Sequence, residues 1–170
     1  MGNRTRDALI RSVRRKKNPL LPWLQNHTAS MRQLESLDAY RTAHHLAAQA
    51  YSLTQVAPLS RHFALMDQIR RACISVPANI AEGYALGSTP QFIRCLRISL
   101  GSAAELRSHL DIATRLELGN LKDLDATSQL TMRVIAILVG LLKKLDRNAR
   151  SRAPFPGSRF PIKPNREGAS

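Results

Sequence analysis

The chain has 170 residues, 44% of them apolar and only 5% aromatic, and 26 Lys/Arg against 12 Asp/Glu give a formal charge of +14. That length and apolar fraction suit a single globular domain, and the scarcity of aromatics beside abundant leucine and alanine argues against a β-sandwich or barrel and for packed helices. There is no run of 18 apolar residues, so no membrane span or membrane partner is expected; Arg14, Arg15, Lys16 and Lys17 interrupt any signal-peptide core, which makes the cytoplasm the expected compartment.

The charge is unevenly placed, with +6 on residues 1–35, +4 on residues 36–148 and +4 on residues 149–170. Residues 1–35 mix this basic patch with Pro19, Pro22 and Trp23 and show no sustained periodicity, so they read as a mostly disordered basic leader. The first predicted helix runs from Ser36 to Val56, with Leu37, Tyr40, Ala43, Ala47 and Ala50 on one face, and stops near Pro58. The second covers Ser60 to Leu86. Gly87 and Ser88 make a turn, Ser88 or Thr89 caps the third helix, and Pro90 occupies its first turn, where a missing donor costs little. The third continues to Leu118 with a heptad seam at Phe92, Leu96, Ser99, Ala103, Leu106, Leu110 and Ala113. Gly119 supplies a stop and Asn120 the next cap. The fourth, Leu121 to Asn148, has its seam at Leu121, Leu124, Ser128, Thr131, Ile135, Leu138, Leu142 and Leu145. From Ala153 onward, Pro154, Pro156, Gly157, Pro161 and Pro164 forbid regular structure and leave a basic, disordered tail.

Two heptad seams joined by short loops predict an all-α fold, an antiparallel up-down four-helix bundle over residues 36–148. Apolar residues spill beyond one stripe, at Leu100 on the third helix and at Leu130, Val134, Ile137 and Leu141 on the fourth. A second cover, such as another subunit, is expected over them.

Within the second helix, Ile69 to Gly83 carries an internal proline, Pro77, which removes a donor and frees the carbonyl of Cys73. Arg71, Ser75, Asn79 and Glu82 form a polar ridge beside the apolar stripe. If the second and third helices are antiparallel about Gly87, residues whose numbers sum to about 176 lie level. Glu82 then faces Arg94, Asn79 faces Arg97, Ser75 faces Gly101 and Arg71 faces Glu105. This predicts a structural polar network of Arg71, Ser75, Asn79, Glu82, Arg94, Ser102 and Glu105, with interhelical ion pairs setting register and Ser102 donating to the carbonyl freed by Pro77. A ligand or catalytic site is the alternative for the same residues. Its sharpest form, a di-iron carboxylate centre, needs paired Glu-x-x-His motifs, whereas Glu105 and His109 are four apart and have no counterpart. No metal or cofactor is expected. No nucleophile, base and orienter assemble and no Gly-rich phosphate loop is present, so enzyme activity is not expected either. Cys73 and Cys95 read as small buried hydrophobes in a reducing compartment.

The run Gln68-Ile69-Arg70-Arg71-Ala72, then Ser75-Val76-Pro77-Ala78-Asn79-Ile80-Ala81-Glu82-Gly83, then Phe92 and Gly101-Ser102-Ala103-Ala104-Glu105-Leu106, resembles the bacterial four helix bundle protein family, first found encoded in intervening sequences of large-subunit ribosomal RNA genes. Tyr40-Arg41-Thr42-Ala43-His44 is similar to that family's first helix, and the resemblance spans residues 36–145. It implies a cytoplasmic, non-enzymatic bundle that forms a homopentameric ring with a nucleic-acid-binding surface. A related branch, the accessory proteins of diversity-generating retroelements, implies a reverse transcriptase as a further partner. The chain departs from the usual pattern at Ala85-Leu86-Gly87 and Thr89-Pro90-Gln91, and it adds both basic flanks.

The expected function is therefore an oligomeric scaffold that binds RNA or DNA through phosphates. The expected contacts are Arg14, Arg15, Lys16, Lys17, Arg150 and Arg152 in the flanks and Arg115, Lys143, Lys144 and Arg147 on the helices. Scarce aromatics disfavour base stacking on single strands. The alternative is a protein adaptor or accessory subunit for a nucleic-acid enzyme.

Overall fold

The computed structural model describes residues 33–150, the side chains of residues 148–150 excepted. The elements are α1 (Asp38–Leu53), a 3-10 turn (Leu59–Arg61), α2 (Phe63–Ala85), α3 (Thr89–Arg115) and α4 (Leu121–Arg150), and among the described residues there is no strand. The predicted leader and tail lie mostly outside the described residues, with Arg14, Arg15, Lys16, Lys17 and Arg152, as does the side chain of Arg150; contrary to expectation, residues 33–35 of the leader are helical and bury Leu34 in the core, and residues 149–150 continue α4.

Each helix ends where local chemistry supplies a stop. α1 ends at Leu53, three residues before the predicted Val56, because Thr54 turns the chain. Its hydroxyl donates to the Tyr51 carbonyl (2.6 Å) and accepts from Arg70 Nε of α2 (2.7 Å), while the Arg70 guanidinium lies 4.7 Å from the Tyr51 ring centroid. α2 closes on Gly87, whose φ of 68° is in the left-handed region that glycine adopts at little cost. α3 stops at Arg115 rather than Leu118. The left-handed residue there is Glu117 (φ 54°), not Gly119, and Leu118 N–H reaches back to the Ala113 carbonyl (2.9 Å). Asn120 caps α4 as predicted, its Oδ1 accepting from Lys122 N–H (2.8 Å).

α2 packs on α3, α3 on α4, and α1 on both α2 and α4, which makes a four-helix bundle. The seven predicted seam positions of α3 are all buried. α4 is rotated slightly from expectation: Leu121 is 59% exposed and Ser128 and Ile135 are half-buried, while Thr127 and Val134 enter the core beside Leu124, Thr131, Leu138, Leu142 and Leu145. Threonine is tolerated there because Thr127 and Thr131 donate to the carbonyls four residues back (2.7 Å each), which leaves their methyl groups to pack. The α1 stripe is likewise Ala39, Ala43, Leu46 and Ala50, with Leu37, Tyr40 and Ala47 at its edge. Over Leu121–Arg147, α4 is long and apolar enough to cross a bilayer by length and composition, contrary to the sequence expectation; in the bundle its seam is part of the core.

The α2–α3 register follows the predicted sum, but its fastening differs. Pro77 sits buried inside a continuous α2, and Ser99, not Ser102, crosses to the proline segment, donating to the Val76 carbonyl (2.9 Å). Ser99 lies on the inward seam, whereas Ser102 lies at its edge. Ser102 instead pairs with the Ser75 hydroxyl (2.8 Å), and Asn79 Nδ2 donates to the Ser75 carbonyl (2.8 Å) and hydroxyl (3.0 Å). The charged members do not join this network: Arg71 pairs with Asp67 (3.9 Å) and Glu105 faces His109 (3.5 Å), each within its own helix, and Arg71, Glu82, Arg94 and Glu105 are all exposed. A partner one turn away costs less ordering entropy than one across a groove, and exposed pairs contribute little in either arrangement. Ser99→Ala is expected to lower unfolding free energy by about 1 kcal/mol, more than Ser102→Ala, because Ser99 is fully buried. Denaturant melts showing no change for Ser99→Ala would remove the crossing bond from the account.

Candidate nucleic-acid interface

The apolar spacing of α4 decides where its cations point. With Leu138, Leu142 and Leu145 turned inward, Lys143, Lys144 and Arg147 fall on the exposed arc. Arg97 Nη2 of α3 lies 3.9 Å from Asp146 Oδ2 of α4, so the first half of α3 is level with the last half of α4. Arg94, exposed and one turn before Arg97, extends the same surface. The structure thus places Arg94, Arg97, Lys143, Lys144 and Arg147 at exposed positions of one end of the α3–α4 pair, where the Asp146 carboxylate and, level with Arg94, that of Glu82 also lie. Lys143 and Arg147 stand four apart, a like-charge spacing that costs a helix about 0.2–0.5 kcal/mol unless an anion relieves it.

Arg115 does not belong to this cluster. It lies 18 residues from Arg97 along α3, roughly 27 Å at the helical rise. Its Nε donates to Asp111 Oδ2 at 2.8 Å, and this bond raises the guanidinium's pKa further and satisfies its charge. Of the helical cations expected to contact phosphate, three are gathered and one is set apart and paired. Arg97 and Arg94 were missed as members. Extending the level-numbering used for α2 and α3 to α3 and α4, about their connection at residues 116–120, would have placed both beside the end of α4.

The predicted polar network between α2 and α3 is closed at its centre. Ser75, Asn79, Ser99 and Ser102 spend their hydrogen bonds on one another and on the α2 backbone. Among the described residues no three His, Cys, Asp or Glu side chains gather as a metal site. Cys73 and Cys95 are free, buried thiols; burial pushes Cys73 up to about 11 and also raises Cys95, so neither offers much thiolate at neutral pH.

The sequence model of the family described as "23S rRNA-intervening sequence protein" matches residues 35–140. A crystal structure of a protein of unknown function from the S23 ribosomal protein family of Bacteroides thetaiotaomicron superposes with a TM-score of 0.58 at 23% identity, covering 62% of this chain and 95% of that one, a likeness of fold. None of the curated proteins matches the chain.

Proposed function

From the premise that this chain belongs to the 23S rRNA-intervening sequence protein family, we propose that it is a non-enzymatic, self-associating scaffold that binds RNA or DNA mainly through phosphates. The observation that carries this reading is the cluster of Arg94, Arg97, Lys143, Lys144 and Arg147 at one end of the bundle. Gln49 near the end of α1 donates to Thr127 near the start of α4 (3.0 Å), so the shorter α1 lies alongside the first half of α4. The flanking segments add +6 and +4 to the charge of the chain, and phosphate attraction by them is part of this reading.

Self-association is supported by apolar surface that the chain leaves uncovered. Met132 is 49% exposed on α4, with Ala136 and Gly140 exposed in line with it and Leu130, Ile137 and Leu141 half-buried alongside. Copies packed along this strip, in the five-membered ring that the family resemblance implies, would multiply one weak phosphate surface into an avid one. The same strip supports the second reading, an adaptor that docks a reverse transcriptase or another nucleic-acid enzyme, with nucleic acid contact secondary. A cytoplasmic site of action is part of the proposal.

Fluorescence anisotropy with labelled RNA and DNA of mixed sequence, titrated from 50 to 200 mM salt, tests it. Five phosphate contacts give a log–log slope of about −4.5, at roughly −0.9 per contact on duplex. Binding that is absent, or that ignores salt, removes the phosphate reading and favours the adaptor.

A further inference from the structure

At the end of the bundle away from the basic cluster, the close of α1 and the α3–α4 connection leave a cleft of about 340 Å³. Its volume falls at the small end of the roughly 300–1,000 Å³ typical of ligand clefts. Its walls are mainly aliphatic, from Leu53, Val56, Leu59, Leu118 and Leu124. We propose that this cleft binds a small organic cation, an ammonium or guanidinium carried on a compact apolar body. The site goes beyond the proposed nucleic-acid function and is independent of it.

The hydrogen-bonding capacity left over in the lining selects the sign of the ligand. Ser52 Oγ donates its proton to the Ala48 carbonyl (2.9 Å) and Thr127 Oγ1 donates to the Asp123 carbonyl (2.7 Å), so both hydroxyl protons are committed. Gln49 Nε2 donates to Thr127 Oγ1 (3.0 Å), which leaves Gln49 Oε1 as an acceptor. The Asp123 carboxylate has no ion pair or hydrogen bond among the described residues, and it is the one formally charged group in the lining. The second hydrogen of Gln49 Nε2 and the Asn120 amide nitrogen are the remaining neutral side-chain donors. Acceptors therefore predominate, and the single charge is negative in a chain of +14. The start of α4 would otherwise attract an anion, but Asn120 already caps it and Asp123 already places a carboxylate in its first turn. A second anion would meet Asp123 at close range. A cation with an apolar body gains a charge-assisted hydrogen bond and buries its body against the leucines.

Amide chemical-shift titration of the full chain with 2-phenylethylammonium tests the proposal, with 3-phenylpropionate and 2-phenylethanol as matched anionic and neutral probes. Saturable shifts at Leu53, Val56, Leu118 and Asp123 are expected for the ammonium, and binding about two- to fivefold weaker for the other two, as one exposed charge pair dictates. Asp123→Asn should weaken the ammonium about two- to fivefold to the level of the alcohol, Asp123→Glu should retain most of it, and Ser52→Phe should fill the cleft and abolish it; circular dichroism melts monitor the fold of each variant. Equal shifts from all three probes, shifts confined to other residues, or undiminished binding by Asp123→Asn or Ser52→Phe would each overturn the assignment.

Discussion

Gly83→Ala is expected to destabilise the bundle by about 2 kcal/mol, whereas Gly101→Ala, the same exchange in the helix packed against it, is expected to stabilise it by about 0.5–1 kcal/mol. Both glycines lie inside helices, so alanine brings each a propensity gain of up to about 1 kcal/mol. Surroundings decide the sign. A Cβ on Gly83 would stand 2.6 Å from Cys95 Cβ, 3.0 Å from Phe92 Cδ2 and 3.2 Å from Phe92 Cα. Two of those atoms are backbone or backbone-attached, so no rotamer change relieves them and α2 must move off α3. That movement also disturbs the edge-to-face contact of Tyr84 and Phe92, whose ring centroids are 6.1 Å apart. Overpacking wins over propensity. At Gly101 nothing lies within 4 Å of the added carbon and the propensity gain stands alone. Urea unfolding of the two variants beside wild type measures both; equal or like-signed shifts would remove the close α2–α3 approach at Gly83 from this description.

Replacing Lys143, Lys144 and Arg147 together with alanine should flatten the salt dependence of nucleic acid binding by about 2.7 log–log units, at roughly 0.9 for each lost phosphate contact. At moderate salt the affinity loss is then large, while the fold is preserved, because all three side chains are exposed and alanine is a good helix former. Arg97→Ala should remove about one further contact. Arg115→Ala should leave the slope nearly unchanged, since its guanidinium is already held by Asp111 at the other end of α3. Anisotropy titrations at several salt concentrations separate these outcomes. A triple variant with an unaltered slope would show that the helices make no phosphate contact, and an Arg115→Ala loss equal to the triple's would show that the cluster has no special role.

The sequence by itself determined the helices, their order and the face that each turns inward where apolar spacing is uninterrupted. All seven inward positions of α3 were legible because alternating gaps of four and three residues admit one helical face, and the Gly87 turn and Asn120 cap were legible because few other residues suit those roles. Where apolar residues spread beyond one stripe, as on α4, or the stripe is mostly alanine, as on α1, periodicity leaves a rotation of a few tens of degrees open, and only packing against two neighbours moved Leu46, Thr127 and Val134 to the centre. The partners of long charged side chains were decided by the tertiary structure alone. Arg71 and Glu105 lie level across the groove by number, yet each has a nearer neighbour one turn away on its own helix, the Asp67 carboxylate and the His109 imidazole. Arg97, by contrast, finds Asp146, 49 residues on, because two helices joined by a short connection run back along each other. Spacing along a chain encodes which surface avoids water, since burial acts on every residue of a stripe at once. Which solvated ions meet is settled by differences of a few tenths of a kcal/mol and by a groove that exists only after folding.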